Sequence, residues 1–80
     1  MSVTMWEVRA ADGRAAELLD WVLEFAPAGS QVYRSADRGN ADRLVVIDPT
    51  RTARQQLADP PAELIARPAN AWDFDPVRNV

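Results

Sequence analysis

The chain contains no cysteine, no histidine and no lysine. Without cysteine there are no disulfide staples and no thiol nucleophile. Without cysteine or histidine, Ser-His catalysis, His-ligated haem and nearly every zinc, copper or iron site that needs thiolate or imidazole are excluded. Only an oxygen-ligated Mg or Ca site is left open by the residue types, and neither a metal nor a cofactor is expected. All nine cations are arginine, scattered from Arg9 to Arg78 with carboxylates between them, and the formal net charge is −3. No basic stripe therefore exists to attract phosphates, and nucleic acid is not an expected partner. No stretch approaches the ~20 apolar residues of a membrane span. The opening MSVTMWEVRA also lacks a basic region followed by an apolar run. The expectation is a soluble, cytoplasmic protein with no membrane partner.

At 80 residues the chain reads as one domain, 1–80. A domain this small buries only roughly 60% of the surface its unfolded chain exposes. Such chains usually gain stability from disulfides, a metal or a partner subunit. With the first excluded and the second not expected, a partner subunit is the leading source.

Residues 2–10, SVTMWEVRA, alternate with period two. Thr4, Trp6, Val8 and Ala10 fall on one side and Val3, Met5, Glu7 and Arg9 on the other, which predicts a strand. Asp12-Gly13 punctuates the chain, with Asp12 placed to cap the next helix. From Arg14 to Ala26 an arc of Ala15, Leu18, Leu19, Val22, Leu23, Phe25 and Ala26 opposes Arg14, Glu17, Asp20 and Glu24, the strongest helical pattern in the sequence. Pro27 to Ser30 stop it. QVYRSA, 31–36, predicts a second strand, DRGNAD, 37–42, a hairpin turn, and Arg43 to Asp48 a third strand. Thr52 and Gln55 match a capping box for a short helix to about Ala58. Asp59-Pro60-Pro61 resembles a second cap leading into one or two turns through Ala66. NAWDFDPV sets Trp72 and Phe74 against Asp73 and Asp75 in a last strand that Pro76 ends.

The order β-α-β-β-α-β predicts an α+β, ferredoxin-like domain. Its four-stranded antiparallel sheet would carry both helices on one face and the first and third strands in the centre. The third strand contains four consecutive apolar residues, Leu44-Val45-Val46-Ile47, and so is apolar on both faces. At about 25 cal/mol per Å², leaving the helix-free face wet would forfeit several kcal/mol, comparable to the stability of the whole domain. A homodimer pairing sheet against sheet is therefore expected. Val3, Met5, Leu44 and Val46 are the interface candidates, Tyr33 is another, and the strand register decides which half of 44–47 takes part.

This order, with MWEVRA leading into an amphipathic helix and VVID as a central strand, resembles the dimeric α+β barrel superfamily along most of the chain. In that superfamily ferredoxin-like subunits pack sheet to sheet around small cavities. Its members include cofactor-independent antibiotic-biosynthesis monooxygenases, haem-degrading monooxygenases and muconolactone isomerases. The resemblance implies a cavity for a small aromatic or polyketide-like molecule. The nearest counterpart of the monooxygenases' Asn and Trp is the pair Asn70 and Trp72, at a different spacing. The histidine of the haem-degrading members is absent.

Trp6, Arg9, Tyr33 and Trp72 are the ligand-binding candidates: two rings for stacking, a phenol for hydrogen bonding and one cation. Each aromatic has a competing reading as ordinary core. Glu7 and Arg9 share the Met5 face and need charge partners there, across the dimer or around a polar pocket. Asp48, Asp73 and Asp75 are candidate general bases or metal ligands against a reading as solvated surface. Trp21, at the edge of the helical arc, is either a contact residue or a cap on the core. Three classes of function compete. The first is a cofactor-free monooxygenase acting through the substrate's own electrons. The second is a ligand sensor in which Asp12-Gly13 approaches the ligand. The third is an interaction module docking through Trp21 and the acidic helix face.

Overall fold

A computed structural model of the chain describes residues 2–36 and 42–78. Its first strand, β1, spans Val3–Arg9 and alternates side for side, burying Thr4, Trp6 and Val8. Asp12 does not cap the following helix, as the sequence suggested. The backbone turns through Ala11 and Arg14, with Arg14 N–H donating to the Ala11 carbonyl at 3.0 Å. Gly13 sits at φ 74°, a conformation that a side chain at the third turn position would resist. Helix α1, Ala15–Phe25, then starts without a side-chain cap.

On α1 the buried positions are Leu18 and Val22, one turn apart. The apolar arc is narrower than the wheel implied, because Leu23 and Phe25 remain 58% and 44% exposed. Trp21 is partly buried at the core edge and packs at a tilt against Phe25, their ring centres 5.2 Å apart and their planes inclined by 43°. Ala26 ends the helix in an extended conformation, the one its neighbour Pro27 imposes on the preceding residue.

Strand β2, Gln31–Arg34, is followed by residues 37–41, which lie outside the described part of the chain along with most of the expected hairpin turn. Strand β3, Arg43–Asp48, buries Leu44, Val46 and Asp48. Helix α2 is a single turn, Ala53–Gln56, and a 3-10 turn covers Ala62–Leu64. Both are shorter than the sequence pattern suggested, and Pro60 and Pro61 prevent the two from joining into one helix. The 3-10 turn is stitched to the end of β1 by Ala11 N–H to the Leu64 carbonyl and Ala66 N–H to the Arg9 carbonyl, both at 2.9 Å. Strand β4, Asn70–Phe74, closes the chain's last element.

The sheet order is β2-β3-β1-β4 with every neighbour antiparallel. The fold is thus α+β with a four-stranded antiparallel sheet and two helices, an arrangement compatible with a ferredoxin-like domain. In the central pairing Trp6 lies opposite Val46 and Val8 opposite Leu44. These four form one core cluster with Leu18, Val22, Ala53, Leu57 and Leu64, so all helical segments cover the same sheet face. Leu57 is fully buried, so Leu57→Ala is expected to lower the unfolding free energy by about 2–5 kcal/mol. Leu23→Ala at an exposed site should cost no more than about 0.5 kcal/mol. Urea denaturation of the two variants measures the difference, and equal losses would contradict this placement of the core.

Candidate functional site

Register assigns the far face of the sheet. Met5 lies opposite Ile47 on one side and Trp72 on the other. Glu7 lies between Val45 and Asn70, Val3 beside Phe74, and Tyr33 beside Val45. One end of this face is therefore apolar and aromatic, built on Val3, Met5, Val45 and Ile47, with Tyr33 at one edge and Trp72 and Phe74 at the other. The three rings are 53%, 43% and 49% exposed. No helix among the described residues covers them.

The other end is charged, and its charges are matched within the chain. Glu7 lies 3.4 Å from Arg43 on the neighbouring strand and 3.9 Å from Arg67, and Arg9 lies 3.4 Å from Asp42. Glu7 and Arg9 thus find their partners without a second subunit.

The interface assignment of Leu44 and Val46 is corrected by this register. They are 1% and 0% exposed beneath the helices, and the alternate residues Val45 and Ile47 occupy the open face. Val3 and Met5 do lie on it. Of the ligand candidates, Arg9, Tyr33 and Trp72 share the open face. Trp6 points the other way into the core at 3% exposure, because it is an even-numbered residue of β1 while they follow the odd set. Tyr33 and Trp72 stand on opposite edge strands, three strand spacings or about 14 Å apart across the sheet and two residues out of register along it. A single chain therefore does not bring the four together. The Tyr33 hydroxyl donates to Gln31 Oε1 at 3.1 Å on the surface.

Two recesses flank this arrangement. On the open face, Val3, Gly29, Gln31, Ile47 and Pro49 bound a depression of about 210 Å³. On the helix side, a cleft of about 460 Å³ opens where α2 and the segment after it meet β4, with Trp6, Leu57, Ile65 and Ala71 in its walls. Of the ligand candidates only Trp6 borders this cleft, whose other walls come from segments distant in sequence. Phe74 also joins the open face, as its period-two relation to Trp72 implied.

Of the three aspartates expected as bases, ligands or solvated surface, Asp75 is exposed, Asp73 is exposed but hydrogen-bonded within the chain, and Asp48 is buried with structural partners. Asp48 is fully buried at the end of β3. Its Oδ1 accepts from the Thr50 backbone N–H at 2.8 Å and the Thr50 hydroxyl at 2.6 Å. Its Oδ2 accepts from the backbone N–H groups of Thr52 and Ala53 at 2.7 and 2.8 Å. Asp48, and not a Thr52–Gln55 capping box, therefore satisfies the start of α2. Arg51 bridges the turn at φ 60°. Burial pushes the Asp48 carboxyl upward, but the hydrogen bonds from Thr50, Thr52 and Ala53 outweigh it and leave its pKa below the ordinary 3.8. Asp73 Oδ1 accepts from the Thr4 hydroxyl at 2.7 Å and from Arg54 at 2.9 Å, and these bonds lower its pKa as well.

A general base works best with a pKa near the operating pH, whereas both of these carboxylates are held ionised, Asp48 by bonds to both of its oxygens and Asp73 by two bonds to Oδ1. Among the described residues no group of three or more acidic side chains could hold a metal ion. No described helix is long and apolar enough to cross a membrane. The chain matches no family model, and no significant match appears among curated proteins or solved structures.

Because the native pKa of Asp48 lies below its unfolded value, its contribution is complete above about pH 4 and is lost as pH falls through the native pKa. Asp48→Ala is expected to cost about 2–3 kcal/mol at pH 7, the worth of a cap plus a stranded buried donor. It should also flatten the acid side of the stability curve. Urea melts between pH 7 and pH 2.5 test this, and an unchanged acid slope in the variant would refute the assignment.

Proposed function

We propose that this protein is a self-pairing domain in which two copies join through their open sheet faces, the assembly implied by its resemblance to the dimeric α+β barrels. The observation that carries the proposal is the uncovered apolar end of the sheet around Met5 and Ile47, flanked by three half-exposed rings. Contiguous apolar patches of this kind on small proteins mark contact surfaces. A second copy suits this surface better than an unlike partner for two reasons. Its charges are already matched in-chain by Arg43, Arg67 and Asp42, so a copy can approach without stranding an ion. The face also carries the half-exposed rings of Trp72 and Phe74 on one edge strand and a depression of about 210 Å³ between Val3 and Ile47. A two-fold contact can therefore place the rings of each subunit in the recess of the other.

Within such a dimer Arg9, Tyr33 and Trp72 would line any space left between the sheets. That lining fits a small aromatic molecule stacked on a ring and held by a guanidinium. The commitment of Asp48 and Asp73 to structural hydrogen bonds supports a binding or interaction module over a catalyst. A soluble, cytoplasmic setting agrees with the absence of cysteine.

Sedimentation equilibrium of the wild type at 1–50 µM is expected to give a dimer. Ile47→Lys, on the open face, should weaken association at least roughly 30-fold, the effect of losing a contact worth 2 kcal/mol, while the circular dichroism spectrum is retained. A wild-type monomer throughout that range would end the proposal, as would an undiminished Ile47→Lys dimer.

A further inference from the structure

The sheet ends in two edge strands, β2 and β4, and the outer backbone groups of an edge strand are a template for further pairing. Which groups of β4 point outward follows from the bonds around β1. The Arg9 carbonyl accepts from Ala66 N–H at 2.9 Å, on the side of the segment leading into β4. Ala10 N–H donates to the Asp42 carbonyl at 2.8 Å, on the β3 side. Residues of a central antiparallel strand serve its two neighbours alternately, so the odd residues of β1 bond to β4 and the even ones to β3. Ser35 N–H to the Arg43 carbonyl at 3.0 Å gives the matching alternation on β3, whose odd residues bond to β2. Glu7 with Asn70, Met5 with Trp72 and Val3 with Phe74 are therefore the hydrogen-bonded pairs of β1 and β4. Ala71 and Asp73 lie opposite Trp6 and Thr4 in the pairs between them. The N–H and C=O groups of Ala71 and Asp73 consequently face away from the sheet.

One of these outward groups is taken. Arg54, on α2, donates through Nη2 to the Ala71 carbonyl at 3.2 Å, while its Nη1 holds Asp73 Oδ1 at 2.9 Å. The guanidinium thus comes from the helical side and ends on the outer edge of β4. Among the described residues no other side chain bonds to the backbone of this edge. The strand has little protection of its own: NAWDF contains no cation, and Trp72 and Phe74 add half-exposed rings beside it. Strand β2 is shorter and includes Arg34, two ordinary devices that blunt an edge.

We propose that Arg54 is an autoinhibitory strap that withholds the outer edge of β4 from strand addition, and that the partner it excludes is the β4 edge of a second copy of this chain. Two such edges fit about a two-fold axis. Antiparallel pairing in which Ala71 exchanges both backbone bonds with the partner's Asp73 sets Trp72 opposite the partner's Trp72 in a non-hydrogen-bonded pair, the arrangement that brings cross-strand side chains closest. Arg54 occupies the Ala71 carbonyl that this pairing needs, so the sheet is not extended while the strap is in place. The device concerns the edge alone, and it neither requires nor precludes contact through the open face.

The test uses the full chain in the Ile47→Lys background, where pairing through the open face is removed. Sedimentation equilibrium up to roughly 200 µM, a range suited to weak self-association, is expected to show Ile47→Lys/Arg54→Ala associating at least tenfold more tightly than Ile47→Lys. The amides of Ala71 and Asp73 should gain at least tenfold protection from hydrogen exchange in the associated double variant. Adding Ala71→Pro removes one outward N–H without touching a bond to β1 and should restore the monomer. Should that proline unfold the chain, the exchange rates decide alone. Ile47→Lys/Leu57→Ala, less stable but with Arg54 intact, should stay monomeric while its circular dichroism shows it folded. Face pairing is absent from every arm, so its failure as a proposal leaves these outcomes unchanged. No gain in association on loss of Arg54, association that leaves the two amides unprotected or survives a folded Ala71→Pro, or equal association in the Leu57→Ala variant would each overturn the strap.

Discussion

The antiparallel pairing of the two central strands, with Trp6 opposite Val46 and Val8 opposite Leu44, is the constraint on which the rest of the molecule depends. Side chains in a strand alternate, so a slip of one residue would exchange the contents of the two faces. Thr4, Trp6 and Val8 would turn to solvent, and Met5 and Glu7 would be driven beneath the helices. In the observed register the apolar residues of both strands meet Leu18, Val22 and Leu57 on one side. The opposite side is left with an apolar end and a self-neutralised charged end.

Asp48 extends this constraint into the second half of the chain. It is the last residue of β3 and lies on the buried face by the same alternation, so its carboxylate reaches the backbone N–H groups that open α2. A helix of one turn has almost no intrinsic stability. Its position comes from that carboxylate and from burial of Ala53 and Leu57. Arg54 on the same turn then ties it to Asp73 on β4, and Asp73 in turn accepts from Thr4 on β1. Two aspartates thus join a strand end, a helical turn and an edge strand, and the low pKa of each reflects that work and leaves neither suited to proton transfer.

The two faces of the sheet are physically separate, one covered by the helical segments and one open. The proposed pairing surface is made of side chains of β1, β3 and β4 that follow the odd register positions of β1, together with Tyr33. The cleft draws on Trp6 and Ala71 from the opposite side and on the irregular segment between α2 and β4. Proline-rich geometry shapes that segment. With no helical ladder possible across Pro60 and Pro61, the chain runs from α2 to β4 through a single 3-10 turn.

Period-two alternation in β1 and β3, and the 3.6-residue pattern around Leu18 and Val22, were legible in the residues alone, since each reflects local geometry and burial acting over a few neighbours. The same patterns gave the order of elements and placed Val3 and Met5 on a shared face with Glu7 and Arg9. Other features needed the folded chain. The apolar run Leu44 to Ile47 is symmetric in hydrophobicity, so nothing in it says which half meets the helices, and only pairing with β1 sends Leu44 and Val46 inward and Val45 and Ile47 outward. Asp48 reads as a surface residue before a proline until the backbone N–H groups of Thr52 and Ala53 are brought round to it. The cleft on the helix side brings Trp6 together with residues more than fifty positions away. Sequence by itself determined which residues seek burial and with what period; tertiary structure decided what they are buried against, because register and long-range contact are properties of two segments together.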